Sequence, residues 1–159
     1  MSVFLGTVEN KVDRKGRVSV PAGFRAVLVN QGFSGIVAYP SLREDGGAIE
    51  GCGMEYMQRI SASVGRLDLF SEEQESLAAL IFASAHQLPW DSEGRVLLPQ
   101  ELIDHAGITD RIAFVGRGET FQMWEPARFA AHRQALIERA RRERPTLRID
   151  PQGGQGGAR

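Results

Sequence analysis

The sequence contains a single cysteine, Cys52, and no run of about 20 apolar residues of the kind that a membrane-spanning helix needs. One cysteine excludes an internal disulfide, and this usage is typical of a reducing compartment such as the cytoplasm. The first residues, MSVFLGTVENK, lack the basic flank and the long apolar stretch of a secretory signal. These absences favour a cytoplasmic globular protein with no membrane partner.

Motifs for common catalytic and cofactor chemistry are also missing. The chain has no P-loop, no dinucleotide fingerprint and no G-x-S-x-G elbow. His86, His105 and His132 do not fall at metal-ligand spacings, and a helix would turn the neighbours Asp104 and His105 to different faces. We therefore expect no enzyme activity, no metal or other cofactor, and no small-molecule substrate.

The net charge of −1 gives no sign of a nucleic-acid partner, but the local charge is segregated. The segment 11–17 carries four cations against one acid, and the region 44–75 carries eight acids against two arginines. Near the end, the region 128–148 carries seven arginines against two glutamates. The small net charge thus conceals two basic regions and one acidic region. A local nucleic-acid-binding surface is therefore compatible with this composition.

One short motif occurs twice in the chain. Residues 13–21 read DRKGRVSVP and residues 91–99 read DSEGRVLLP, and five identical residues share a constant offset of 78. Such a repeat indicates two copies of one structural unit. The predicted organisation is a first copy over 3–66, a connector helix over 67–86, a second copy over 82–142 and a disordered, Gly- and Gln-rich tail over 145–159.

Each copy predicts the same order of elements. An apolar strand leads into an Asp-x-x-Gly turn, and a second short strand follows, then a helix that starts at Pro21 or Pro99. Gly32 and Gly107 are expected to end these short helices. A hairpin and a closing helix complete each unit. The hairpin turns are expected at REDGG in the first copy and at GRGE in the second.

The connector between the copies is predicted to be a packed helix. Ser71 and Gln74 fit a capping box, and acids occupy the first turn, where the helix dipole favours negative charge. Leu77, Leu80 and Ile81 form an apolar stripe at helical spacing.

The two Asp-x-x-Gly-Arg turns are the strongest candidates for a functional site. Their aspartates can accept backbone N–H bonds, their glycines can supply a positive φ, and their arginines can pair with the aspartates. The residues assigned to this structural role are Asp13, Gly16, Asp91 and Gly94.

A structural turn does not need the cations that surround the first copy. Like charges on one exposed loop repel one another, and a polyanion relieves that repulsion and releases counterions as it binds. We therefore favour nucleic acid as the partner over a merely solvated face. The predicted DNA-binding residues are Lys11, Arg14, Lys15, Arg17 and Arg95.

The two turns are not equivalent in charge. The second turn offers only Arg95 against Asp91 and Glu93, so the first turn is expected to dominate DNA contact. Arg95 stays open between a DNA contact and an internal pair with Asp91. If the copies interlock, the two turns are expected to lie close together on one face. Glu93 would then repel DNA phosphates unless it points away or pairs with a neighbour such as Arg14 or Lys15.

A strand, D-x-x-x-R, a second strand and a proline at a helix start resemble the SpoVT-AbrB swapped-hairpin domain. Two copies in one chain, an apolar connector and a terminal strand–Trp–helix segment, FQMWEPARF, resemble the MraZ family over Phe4 to about Ala140. The resemblance implies an α+β, mainly β fold, in which two repeats form a pseudo-twofold swapped-hairpin β-barrel with flanking helices. The segment Gly51–Gly53 and the acidic start of the connector depart from the family pattern.

The resemblance also implies a function. It points to a nucleoid-associated repressor of the division and cell-wall gene cluster. Such a repressor binds double-stranded DNA at short direct repeats in its own promoter, as a ring-shaped homo-oligomer. The alternative is an antitoxin-like protein-interaction module of the AbrB/MazE type, for which the basic segment RARRERPTLR could serve a partner. Such antitoxins have one module and a long disordered tail, whereas this chain has two modules and a short tail.

Overall fold

The computed structural model describes residues 3–43 and 47–151, which form eight strands and five α-helices in an α+β arrangement dominated by antiparallel sheet. The elements before the connector are β1 Thr7–Lys11, β2 Arg17–Ser19, α1 Ala22–Leu28, β3 Gly35–Pro40, β4 Ile49–Cys52 and α2 Met54–Val64. The connector forms α3 Glu72–Leu77, which continues into a π-helical turn, Ala78–Phe82. The elements after it are β5 His86–Pro89, β6 Arg95–Leu97, α4 Gln100–Ala106, β7 Arg111–Gly116, β8 Phe121–Trp124 and α5 Pro126–Glu143.

The ends of the short helices follow the predicted signals with two corrections. Pro21 and Pro99 are N-cap residues with extended backbone, so α1 and α4 begin one residue later than predicted. Gly107 ends α4 in the left-handed region, as predicted, with φ of +66°. Gly32 does not end α1, because the helix stops at the fully buried Leu28. Gly32 lies in the loop that leads to β3, where it has a positive φ of +81°.

The strands form two separate sheets. Six strands lie in the antiparallel order β1-β7-β8-β4-β3-β5, and β2 pairs with β6 in a two-stranded ribbon. The first strand of each half pairs with the hairpin of the other half: β1 lies along β7, and β5 lies along β3. The two halves are therefore joined through backbone hydrogen bonds as well as through side chains.

The predicted closed β-barrel is not found in the described ranges. β1 and β5 are the two edges of the six-stranded sheet and do not pair with each other. After each edge strand the chain turns and enters the ribbon β2–β6, whose Val18 and Val96 belong to the same buried cluster as Ile36 and Ile112 of the sheet. The ribbon closes the core by side-chain packing, so no continuous ring of strand pairing is needed.

The core between the sheet, the ribbon and the short helices contains a cluster of aromatic rings. Phe4, Phe24, Phe114 and Phe121 lie with ring centroids 4.9 to 6.3 Å apart. Gly51 lies against this cluster, because a Cβ there would be 2.3 Å from a ring atom of Phe121. A larger residue at position 51 would therefore displace this ring.

The connector and the end of the chain extend from this core. One half of the predicted capping box is confirmed, since the Ser71 hydroxyl accepts a hydrogen bond from the Gln74 N–H at 3.1 Å. The Ser71 N–H donates to the Asp68 carbonyl at 3.0 Å and not to the Gln74 side chain. The connector packs mainly through Ile81, whereas Leu80 is half exposed.

Residues 145–151 are exposed and carry no helix or strand. Residues 152–159 of the predicted tail and residues 44–46 of the first hairpin turn lie outside the described residues. None of the helices in the described ranges has both the length and the apolar character needed to span a membrane.

Candidate nucleic-acid interface

The first Asp-x-x-Gly-Arg turn is organised around one carboxylate. Asp13 Oδ1 accepts the backbone N–H groups of Lys15 and Arg17, both at 2.9 Å, and Oδ2 accepts from Arg17 Nε at 2.8 Å. Gly16 has a φ of +89° and donates its N–H to the Asp13 carbonyl at 3.0 Å. The bond from the Arg17 N–H is the largest of the contributions that hold the pKa of Asp13 below its usual value.

The second turn repeats this geometry with one addition. Asp91 Oδ1 accepts the N–H groups of Glu93 and Arg95 at 2.9 and 3.0 Å, and Gly94 has a φ of +78°. Arg95 lies 3.0 Å from Asp91 Oδ2 through both Nε and Nη2, and Nη2 is also 3.3 Å from Glu93 Oε2. The bond from the Arg95 N–H chiefly lowers the pKa of Asp91. Arg95 is therefore more fully occupied by carboxylates than Arg17.

The ribbon β2–β6 brings the two turn arginines onto one face. Val18 pairs with Val96 at its centre, and both side chains are buried. Since side chains alternate along a strand, the residues on either side of each valine face outward. Arg17 and Arg95 are diagonal neighbours, about 7–8 Å apart at Cα. The outward residues of the ribbon are Arg17, Ser19, Arg95 and Leu97.

The turns themselves lie at opposite ends of the ribbon, so the expectation that they lie close together is wrong. The Gly16 carbonyl accepts from the Leu98 N–H, and the Gly94 carbonyl accepts from the Val20 N–H, both at 2.9 Å. The four residue steps from Gly94 to Leu98 span about 13 Å of strand. Antiparallel pairing causes this separation, because each turn precedes its own strand.

Glu93 forms its ion pair within its own turn and not with the first turn. Its ion pair is with Arg95 of its own turn, whereas Arg14 and Lys15 belong to the turn at the far end of the ribbon. The acidic residue therefore weakens the positive charge of the second turn and leaves the first turn unaffected.

The first turn is surrounded by exposed cations. Lys11, Arg14 and Lys15 are all exposed, and Lys11 is the last residue of β1. Its cross-strand partner is Arg111 at the start of β7, which also lies 3.3 Å from Glu9. With Arg17, these residues are the four cations that the sequence places at the first turn. The sheet adds Arg111 as a fifth cation, which only strand pairing reveals.

A further arginine approaches the second turn from the other half of the chain. Arg25 on α1 donates through Nε to the Val20 carbonyl at 3.1 Å. Its guanidinium lies against Gly94, where a Cβ would be 2.6 Å from Nη1. The second turn therefore has two nearby cations, and no local sequence pattern could have indicated Arg25.

The three histidines serve separate parts of the fold. His86 is paired with Glu101, His105 bonds a backbone carbonyl at 3.1 Å, and His132 stacks on the indole of β8 at 4.5 Å. Among the residues that the structure describes, no three His, Cys, Asp or Glu side chains are grouped to hold a metal ion. Burial raises the pKa of the Cys52 thiol to about 12, which keeps it in the unreactive protonated form.

Known proteins resemble this chain over nearly its full length. A family model described as "MraZ protein, putative antitoxin-like" matches residues 81–150. A protein of Rickettsia bellii (strain OSU 85-389) named "Transcriptional regulator MraZ" is 44% identical over 149 residues, which cover 93% of this chain and 98% of the relative. Proteins of the same name from Rickettsia akari (strain Hartford) and Rickettsia felis (strain ATCC VR-1525 / URRWXCal2) are 44% and 45% identical over 148 residues, with the same coverage. These relatives are named as regulators and not as enzymes. On this similarity the chain belongs to the MraZ family.

Proposed function

We propose that this chain is a sequence-specific DNA-binding regulator of transcription that represses the division and cell-wall gene cluster from its own promoter. The observation that carries the proposal is the outward face of the ribbon β2–β6, where Arg17 and Arg95 lie side by side on a surface that the core does not use. The relatives' name, "Transcriptional regulator MraZ", supports the role in transcription. A regulator of this kind acts in the cytoplasm, on the nucleoid.

The shape of this face fits the major groove. A two-stranded ribbon can enter the groove of B-DNA, which is about 12 Å wide, and arginine can read guanine there through two hydrogen bonds. Asp13 bonds Arg17 through Nε, and a guanidinium bonded in this way can still offer its two Nη groups end-on to a base. Asp13 thus orients the guanidinium for a contact that discriminates between bases.

We propose that the first turn makes the larger share of the phosphate contacts. Lys11, Arg14 and Lys15 are exposed around Arg17, and Arg111 lies beside Lys11. Phosphate contacts position a protein on the duplex, and contacts to base edges specify the sequence. At the second turn Arg95 is partly neutralised, so its base contact is expected to be the weaker one.

The two-copy organisation remains part of this proposal. The units 3–66 and 82–142, joined by the connector 67–86, would be swapped-hairpin modules that interlock within a single chain. The pairing of β1 with β7 and of β5 with β3 supports this arrangement, since each half supplies an outer strand to the other. The ribbon between the halves then presents both arginines together.

We propose further that the chain acts as a ring-shaped homo-oligomer on direct repeats. One first turn offers few cations, whereas several chains on successive repeats multiply the affinity through effective concentration.

Two surfaces of the chain are complementary for such an assembly. The tip before α3 exposes Leu69 and Phe70, the latter 92% exposed, and acids flank them. The groove under α5 is apolar at Phe129 and Leu136 and has a volume of about 410 Å³. Its basic side chains are Arg43, Arg117, Arg133 and Arg139. Opposite charge around matched apolar surfaces favours a head-to-tail contact between copies. Repeated contacts of this kind close into a ring when the rotation between neighbouring copies divides a full turn.

An electrophoretic shift on the DNA upstream of the chain's own gene tests the proposal. We expect a specific complex that survives excess competitor DNA and footprints over direct repeats. Light scattering on the free protein should show an oligomer, and Phe70→Ser should reduce its mass. If a small protein co-purifies and no specific DNA complex forms, the antitoxin-like alternative is supported and the regulator proposal is wrong.

A further inference from the structure

One exposed apolar side chain lies within the arginine-bearing face of the ribbon. Leu97 is 58% exposed and is the direct cross-strand partner of Arg17. It leans toward the first turn, since a Cβ on Gly16 would be 3.7 Å from Leu97 Cδ1. Its chain neighbours Val96 and Leu98 are buried and already supply the core with the apolar surface of this strand. The core therefore does not require a leucine here.

The register of the ribbon supplies an internal comparison. A half-turn about the central valine pair exchanges Arg17 with Arg95 and Leu97 with Ser19. Ser19 is also exposed, so the ribbon accepts a small polar side chain at the matched position. The face thus has two chemically different ends, with an apolar side chain beside one guanidinium and a hydroxyl beside the other.

We propose that Leu97 reads the C5-methyl group of a thymine in the major groove, next to the base that Arg17 contacts. This inference rests on the proposed function, because the ribbon must enter DNA. The thymine methyl is the apolar group on the major-groove edge, and apolar side chains recognise it by contact. Directly opposed residues lie about 4.5–5.5 Å apart and adjacent base pairs about 3.4 Å apart, so Arg17 and Leu97 reach the same or neighbouring pairs.

This assignment makes the site read by each chain asymmetric. Two-fold symmetric readers bind palindromic sites, because both halves of the protein make the same contacts. Here only the end with Arg17 and Leu97 distinguishes thymine by its methyl group, and the end with Arg95 and Ser19 does not. A chain of this kind reads a directional sequence, which suits direct repeats.

Two duplexes that differ only in thymine methyl groups test the assignment. The upstream region of the chain's own gene is amplified with thymidine or with deoxyuridine triphosphate, and affinity is measured by shift titration with competitor present. The native chain should bind the uracil duplex more weakly, by about four-fold for each contacted methyl group. Leu97→Ala should bind the thymine duplex more weakly than the native chain does, and should bind both duplexes about equally.

Matched variants separate this effect from general damage. Val29→Ala removes another exposed apolar side chain, on the loop after α1, and should keep the native preference for thymine. Ser19→Leu should increase that preference. Equal binding of both duplexes by the native chain, or a full preference retained by Leu97→Ala, overturns the assignment while specific binding itself survives. Absence of specific binding to the thymine duplex refutes the proposed function instead.

Discussion

Replacing Arg17 by alanine separates the base-reading role of the first turn from its structural role. The guanidinium is bonded to Asp13 at 2.8 Å, and both side chains are more than a third exposed. Exposed ion pairs contribute little to stability. Asp13 also keeps its two backbone N–H bonds when the guanidinium is removed. The melting temperature of Arg17→Ala should therefore fall by only a few degrees.

The loss of DNA affinity should be much larger. A bidentate contact to guanine contributes about 1–3 kcal/mol of discrimination, which corresponds to about 5- to 150-fold in affinity for each bound site. Arg95→Ala is the matched comparison, since it removes the same group from the same face. Arg95 already faces Asp91 and Glu93, so its replacement should cost less affinity than that of Arg17.

Shift titrations of the native chain, both variants and Arg66→Ala give the measurement, with thermal melts run beside them. Arg66 is an exposed arginine beyond α2, and its loss should change neither affinity nor sequence preference. The reasoning fails if Arg95→Ala loses more affinity than Arg17→Ala while both melt near the native temperature. Unfolding of Arg17→Ala at ambient temperature would make Arg17 a structural partner of Asp13 and nothing more.

Four further predictions follow from the same geometry. Affinity should fall steeply with salt, with a log–log slope of about 2.7 or more per bound chain if the three lysine and arginine neighbours of Arg17 each reach a phosphate, and a slope near zero would exclude those contacts. In shift assays Lys15→Glu should nearly abolish binding and Glu93→Lys should strengthen it, because Glu93 neutralises its own turn; weaker binding by Glu93→Lys would contradict the charge argument. Gly51→Ala should lower the melting temperature, because overpacking against Phe121 costs about 1–3 kcal/mol of stability. Gly23→Ala in α1, where a Cβ would meet no neighbouring atom, should raise the melting temperature by adding about 0.5–1 kcal/mol of stability. Thermal stability should not vary with pH through the two turn aspartates above their unfolded pKa of about 3.9. It should decline as pH falls through their lower folded pKa values, and the decline should be smaller when both aspartates are replaced by asparagine.

Several features of the fold could be predicted from local sequence because their causes are local. Ser71 caps α3 from three residues away, and Gly107 ends α4 through its own backbone conformation. The hairpin β7–β8 also lies on either side of the predicted GRGE turn, and each unit ends in a helix, α2 or α5, as predicted. Asp13, Gly16 and Arg17 meet within one turn, so residue type and spacing alone indicated their contacts.

The sequence by itself determined the two turns and the charge of the first, because these depend on neighbours a few residues apart. Tertiary structure alone decided which groups meet between distant segments. The pairing of β2 with β6 puts Arg17, Arg95 and Leu97 on one face and the turns at opposite ends, and α1 brings Arg25 to Gly94. The same pairing replaces the expected barrel by an open sheet covered by a ribbon. A strand's own residues record which side is apolar but not which strand lies opposite, since that choice depends on packing across the whole core.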